Sequence, residues 1–189
     1  ADTTNERMRD IPRTRDIPHT LEIGIDRTCN LFCKSCRDCV VVETGERKRR
    51  TEAAKDVIIS SGWLEKCNTL LLGGQGEVFF SNVYQELMFY GSEKRISLDL
   101  RTNGTLLTEE YFTKLKKKYK ELKIIVSVDA ANEATFRKLR RSNNSDSWEN
   151  LNRNLQMLSE KRKRKELGYF QINMCVQWDN YKEIPDFIR

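Results

Sequence analysis

The chain has 189 residues, which suits one domain with a buried core but falls short of the roughly 250 residues of a complete eight-stranded α/β barrel. Charged residues make up 33% of it, and no apolar run approaches the roughly 18 residues that span a bilayer, so we expect no membrane partner. Lysine and arginine outnumber aspartate and glutamate by 34 to 28. Because the basic runs (47–50, 116–118 and 161–165) fall on predicted helices, they are typical of solvated faces, and we expect no nucleic-acid partner.

Beyond residue 20, short apolar or β-branched runs alternate with longer amphipathic segments, which predicts an α/β fold with βα units and a parallel sheet. Five strands are predicted, at residues 21–26, 68–72, 96–101, 123–128 and 170–176. Apolar faces at helical spacing predict helices that contain Ala54, Val57, Ile58 and Ser61; Phe112, Leu115 and Tyr119; and Trp148, Leu151, Leu155 and Leu158. The predicted N-caps are Ser81, Thr108 and Ser147.

The start of the chain carries no recognisable targeting signal. Its first 18 residues are polar, without the apolar stretch or the cleavage pattern of a secretory signal. We therefore expect residues 1–20 to be a polar lead-in and the protein to be cytoplasmic, where cysteines stay reduced.

Three cysteines follow the first predicted strand on one loop. Cys29, Cys33 and Cys36 have the spacing C-x3-C-x2-C, and clustered thiolates bind zinc or iron-sulfur clusters. A four-iron cluster normally takes four thiolates, so three of them leave one iron open. Cys39 adds a fourth thiol that could complete a zinc site. Structural zinc sites usually join two separated C-x2-C pairs, and the sequence has no second pair, but both kinds of site remain open on the cysteines alone.

Each later predicted strand also ends in a distinctive motif. The second ends in Gly-Gly-Gln-Gly-Glu (residues 73–77), where glycines permit positive φ and close approach of the backbone to a ligand. The third ends in RTNGTLLT (101–108), and the fourth continues into SVDAANEATFRKLRR (127–141). Because parallel βα barrels place their chemistry at the carboxyl ends of the strands, these motifs are expected to meet the cysteines at one edge of the sheet.

Together with C-x3-C-x2-C, these motifs resemble the radical S-adenosylmethionine (SAM) superfamily, and especially its peptide-modifying members with a C-terminal SPASM or twitch extension. The likeness covers about residues 20 to 189 and includes INMCVQWDNYKEIPDFI near the end. It implies a partial (β/α)6 barrel with five of six strands present and the C-terminal part missing, so that residues 21–189 are an incomplete radical SAM core. Two departures stand out: Val78 replaces the usual proline after Gly-Glu, and Ser35 replaces the usual aromatic residue before the last cysteine.

The resemblance also implies which residues bind the cofactors. Cys29, Cys33 and Cys36 would hold a 4Fe-4S cluster whose open iron is chelated by SAM. The implied SAM contacts are Gly76 and Glu77 for its amino group, Thr102, Asn103 and Ser127 for its ribose or methionine portion, and Arg140 for its carboxylate. Arginine suits the last role because it is the natural bidentate partner of a carboxylate.

The activity that the resemblance implies is reductive cleavage of SAM to a 5′-deoxyadenosyl radical that abstracts hydrogen from a substrate. A peptide or protein substrate is expected, together with a small electron-donor protein such as a flavodoxin or ferredoxin. The alternative is a non-catalytic zinc- or iron-sulfur-binding module with a basic surface that contacts nucleic acid.

Overall fold

The computed structural model describes residues 17–91 and 94–188, so most of the predicted polar lead-in lies outside the described residues. Five parallel strands form one sheet in chain order, and each pairs with the next. They are β1 Thr20–Ile23, β2 Thr69–Leu72, β3 Lys94–Thr102, β4 Tyr119–Ser127 and β5 Tyr169–Asn173. The order places β1 and β5 at the two edges of an open sheet, which confirms the predicted α/β class and partial barrel.

Helices connect the strands, as parallel pairing requires. They are α1 Gly45–Ser60, α2 Trp63–Lys66, α3 Asn82–Phe89, α4 Glu109–Lys118, α5 Glu133–Arg140, α6 Ser147–Lys163 and, after a 3-10 turn at Tyr181–Glu183, α7 Ile184–Ile188. In the described part of the chain, no helix is both long enough and apolar enough to cross a membrane.

Two of the three predicted N-caps are confirmed. Ser81 accepts a hydrogen bond from the backbone N–H of Tyr84 at 3.1 Å, and Thr108 accepts one from that of Tyr111 at 3.4 Å. The third prediction is wrong by one residue, because Asp146 occupies the N-cap position and Ser147 is the first residue of α6.

The core lies between the sheet and its helices. Side chains of neighbouring strands that share a register row are fully buried there, as Leu70 of β2 and Leu98 of β3 show. Three predicted members of helix faces are corrected. Val57 is 67% exposed, and the buried residue of α1 is Thr51, six residues earlier. Ser61 is exposed and is the C-cap that follows α1. Tyr119 begins β4 instead of continuing α4, and its buried hydroxyl donates to the carbonyl of Met88 at 2.7 Å.

Candidate functional site

The loop between β1 and α1 (residues 24–44), which we call the cysteine loop, carries four thiols at the carboxyl edge of the sheet: the three predicted cluster ligands and the exposed Cys39. Cys29 is buried, Cys33 is half-buried and Cys36 is exposed. The backbone N–H of Cys29 donates to the carbonyl of Val41 at 2.9 Å, and that of Cys36 donates to the carbonyl of Cys33 at 2.9 Å. The loop is therefore closed on itself by main-chain bonds.

The pKa of two of these thiols is shifted by their surroundings. Burial raises the pKa of Cys29 and of Cys33. For Cys33 the nearby positive charge of Arg140 opposes that rise in part. A metal that binds these two thiols must therefore displace protons that burial makes harder to remove.

Glu77, at the end of the glycine-rich turn (residues 73–77), joins that turn to the end of β3. It is 1% exposed, and one carboxylate oxygen accepts from the hydroxyl of Thr102 at 2.6 Å and the N–H of Phe79 at 3.2 Å. The other oxygen accepts from the N–H of Asn103 at 2.6 Å. The carboxylate therefore binds three donors of the protein and is closed off from solvent, and its expected contact with SAM stays a prediction.

Asn103 extends the same network to the cysteine loop. Its side-chain amide donates to the side-chain oxygen of Asn30 at 2.9 Å, and its own side-chain oxygen accepts from the N–H of Thr105 at 3.0 Å. Asn30 in turn donates to the hydroxyl of Thr105 at 3.0 Å. The side chain of Asn103 therefore braces the cysteine loop against the end of β3.

Gly76 lets the glycine-rich turn approach the cysteine loop closely. A Cβ atom at this position would lie 2.5 Å from the main-chain oxygens of both Asp26 and Thr28. The N–H of Glu77 also donates to the carbonyl of Thr28 at 2.9 Å. Because the obstructing atoms belong to the backbone, only glycine fits here without moving one of the two loops.

Arg140, the last residue of α5, is buried at the carboxyl end of β4. It is 8% exposed and donates from Nη1 to Asp129 at 2.8 Å, while its buried Nε has no hydrogen-bond partner in the described part of the chain. Asp129 also accepts from the N–H of Cys175 at 2.7 Å. Arg140 and Ser127 line an open cavity of about 470 Å³ at the ends of β4 and β5, together with Asp129, Ile172, Asn173, Met174 and Cys175.

Comparisons with known proteins agree on one family. No protein-family model matches the chain. The chain is 31% identical over 167 residues to an AdoMet-dependent heme synthase of Methanosarcina barkeri, an alignment that covers 88% of the chain and 45% of that protein. It is 26% identical over 186 residues to an AdoMet-dependent heme synthase of Nitratidesulfovibrio vulgaris, covering 91% and 47%. The chain thus spans about half the length of the curated relatives it matches.

Two solved structures have a similar fold. SuiB of Streptococcus suis, bound to its precursor peptide SuiA, superposes with a TM-score of 0.56 at 18% identity, covering 91% of the chain and 36% of SuiB. TYW1 with a bound lysine-pyruvate adduct superposes with a TM-score of 0.53 at 15% identity, covering 89% and 59%. The sequence relatives, the shared fold and the three-cysteine loop together decide the family. The chain belongs to the radical SAM superfamily.

The cysteine loop of this radical SAM core carries the donors that a cluster requires. Cys33 interacts electrostatically with both Cys29 and Cys36, so the three thiols lie near one another. Within residues 17–91 and 94–188, no three His, Cys, Asp or Glu side chains are arranged to hold a single metal ion. The donors are soft thiolates, as iron-sulfur clusters require. The residues present therefore fit the cluster.

The surroundings of the thiols also fit SAM. The unpartnered Nε of Arg140 is a buried donor beside Cys33, and a carboxylate is the acceptor that an arginine binds best. Main-chain carbonyls of the glycine-rich turn are acceptors of the kind that an ammonium group needs. Both features lie at the edge of the sheet that carries the cysteine loop.

Two parts of the site were not expected from the sequence. Asp179, beyond β5, accepts from Lys34 of the cysteine loop at 2.6 Å and from Lys138 of α5 at 2.7 Å, and these two bonds lower the pKa of its carboxyl. Arg37, directly after the last of the three cysteines, donates to the sulfur of Cys36. No local sequence pattern identifies either contact, since Asp179 pairs with residues 41 and 145 positions away and Arg37 belongs to no motif.

Proposed function

We propose that this chain is the catalytic core of a radical SAM enzyme, in which Cys29, Cys33 and Cys36 hold a 4Fe-4S cluster and SAM binds against it. The observation that carries the proposal is the placement of the three thiols beside a buried arginine with a free donor, at the carboxyl edge of a parallel sheet. These residues would hold a cluster and SAM, which together would supply one-electron reductive cleavage of SAM and a radical able to abstract hydrogen from a substrate.

The residues of the chain bind and orient SAM. Main-chain carbonyls of the glycine-rich turn, including that of Gly76, accept from its ammonium group, and Arg140 donates to its carboxylate. Ser127 lies beside its ribose or methionine portion. An indirect role belongs to Glu77, Thr102 and Asn103. Their hydrogen bonds hold the glycine-rich turn and the cysteine loop in position relative to each other.

Our proposed substrate is a peptide or protein, taken from a cytoplasmic pool and processed with electrons from a flavodoxin or ferredoxin. It is supported by the similarity in fold to SuiB, which binds the precursor peptide SuiA. A second candidate is a heme precursor, because both curated relatives are AdoMet-dependent heme synthases.

Anaerobic reconstitution with iron and sulfide, reduction, and assay of 5′-deoxyadenosine test the proposed function. We expect the wild-type chain to release 5′-deoxyadenosine from SAM and Cys33→Ala to release none. A colourless, zinc-loaded protein that leaves SAM intact would contradict the proposal and favour the binding-module alternative.

The substrate is tested in the full-length protein that carries this core. Candidate peptides and heme precursors are added separately, and mass change of each is followed by mass spectrometry. Hydrogen loss from a peptide supports the first candidate, whereas conversion of a heme precursor with unchanged peptides supports the second.

A further inference from the structure

Arg37 makes four hydrogen bonds that fix its guanidinium at the cluster site. Nη1 donates to the carbonyl of Arg27 at 2.6 Å, and Nη2 donates to the carbonyl of Gln75 at 2.6 Å. Nε and Nη2 also point at the sulfur of Cys36, at 3.4 Å and 3.3 Å. The two short bonds to carbonyls hold the planar group in place, so that its remaining donors meet the sulfur in a defined direction.

The two carbonyls that hold Arg37 come from different parts of the site. Arg27 lies in the cysteine loop just beyond β1, and Gln75 lies in the glycine-rich turn after β2. Positive charge on Arg37 also acts on Cys29 and Cys33, and in both it lowers in part a pKa that burial raises. The guanidinium is therefore a cation close to all three proposed cluster ligands.

We propose that Arg37 raises the reduction potential of the cluster through its charge and its hydrogen bonds to the sulfur of Cys36. This inference rests on the proposed function, since it requires a cluster on the three cysteines. Hydrogen bonds to ligand sulfurs and the net charge around a cluster are two of the factors that set its potential. Reduction adds one negative charge to the cluster, and a fixed cation beside it stabilises the reduced state more than the oxidised state.

Arg141 provides a matched control, because it binds the same loop without acting on a thiol. Nε donates to the carbonyl of Phe32 at 3.0 Å, Nη2 donates to the carbonyl of Arg37 at 3.3 Å, and the guanidinium lies 5.2 Å from the ring centroid of Phe32. Within the described residues, its hydrogen bonds go to main-chain carbonyls and none goes to a cysteine sulfur. Loss of Arg141 therefore loosens the loop and removes a nearby charge without removing a hydrogen bond to a cysteine sulfur.

The experiment is a redox titration of the anaerobically reconstituted chain without SAM, with the reduced cluster measured by electron paramagnetic resonance. At the wild-type midpoint potential, we expect Arg37→Met to lower the ratio of reduced to oxidised cluster about tenfold, which for a one-electron couple corresponds to about 59 mV. Arg37→Lys keeps the positive charge but not the planar guanidinium with its several N–H donors, so we expect the ratio of reduced to oxidised cluster to fall about threefold. Arg141→Met is expected to stay within twofold of wild type.

The outcomes separate the inference from the proposed function. A ratio within twofold of wild type in Arg37→Met, with cluster content retained, would overturn the role of Arg37 while leaving the proposed function intact. If Arg37→Met loses its iron, the comparison of Arg37→Lys with Arg37→Gln tests the effect of charge. Both side chains have a hydrogen-bond donor, but only lysine is charged. Equal ratios in those two would overturn the inference, and a ratio at least threefold lower in Arg37→Gln would support it. A wild-type chain without a 4Fe-4S signal would contradict both proposals together.

Discussion

Replacing Glu77 with alanine tests whether the carboxylate serves chiefly to hold the glycine-rich turn against β3. The substitution removes the acceptor of three buried donors: the N–H groups of Asn103 and Phe79 and the hydroxyl of Thr102. The hydroxyl can rotate to another partner, but the two amides cannot. Each orphaned buried amide costs about 1–3 kcal/mol.

Part of that cost is offset because the variant no longer buries a carboxylate. Burial raises the pKa of Glu77, although its three donors and the charge of Arg140 lower it in part. Ionisation of Glu77 is therefore less favourable in the folded state than in the unfolded chain. We expect a net loss of about 2–4 kcal/mol in the free energy of unfolding, a large share of the 5–15 kcal/mol of a typical domain.

The same pKa shift gives the effect a pH dependence. A carboxyl whose folded-state pKa lies above its unfolded value stabilises the fold below the unfolded pKa, and this contribution is lost as pH rises. The wild type therefore loses stability relative to Glu77→Ala as pH rises above the ordinary value of 4.5. The difference between the two proteins should be larger at pH 5 than at pH 8.

Urea denaturation followed by tryptophan fluorescence in reducing buffer measures these differences. Glu46→Ala is the control, because its carboxylate is 68% exposed and pairs with Arg50 one helical turn away, a contact that contributes about 0.5 kcal/mol or less. A free energy of unfolding for Glu77→Ala within 0.5 kcal/mol of wild type would refute the bracing role.

Three further predictions concern residues of the candidate site. Cys39→Ala should keep its 4Fe-4S absorption and its SAM cleavage, because Cys39 is exposed and a fourth thiolate would occupy the iron that SAM needs. Loss of the cluster in this variant would instead indicate a four-thiolate site. Gly76→Ala should lower the free energy of unfolding in urea by at least about 1–3 kcal/mol, since its Cβ would overlap two main-chain oxygens, and wild-type stability would count against the close contact. Arg140→Lys retains a cation beside Asp129 but loses the Nε donor. Its affinity for SAM, measured by equilibrium dialysis, should therefore fall about tenfold while its iron content stays unchanged. Undiminished affinity would exclude Arg140 as the ligand of the SAM carboxylate.

All five strands could be predicted from hydrophobic pattern, but their ends could not. β1 was predicted to reach Asp26 and ends at Ile23, because the N–H of Asp26 donates to the hydroxyl of Tyr84 instead of to a neighbouring strand. β5 was predicted to reach Val176 and ends at Asn173, because the N–H of Cys175 donates to the carboxylate of Asp129. Both endings depend on side chains 46 to 58 positions away, which no local pattern contains.

The candidate site shows the same division between local and distant information. The spacing of Cys29, Cys33 and Cys36 on one loop after β1 is a local feature and could be predicted. The three donors that surround Glu77 were missed, because two of them belong to Thr102 and Asn103 at the end of the next strand. A pattern that names Glu77 as a ligand residue does not show which protein groups its carboxylate also binds.

The central claim, that three cysteines of this chain hold a 4Fe-4S cluster with one iron open to SAM, is tested most directly by electron paramagnetic resonance of the reduced, reconstituted protein with and without SAM. We predict that SAM changes the spectrum of the wild type and of Cys39→Ala, and that Cys29→Ala, Cys33→Ala and Cys36→Ala give no cluster signal. A wild-type spectrum that SAM leaves unchanged, or a full signal in any of the three cysteine variants, would contradict the claim.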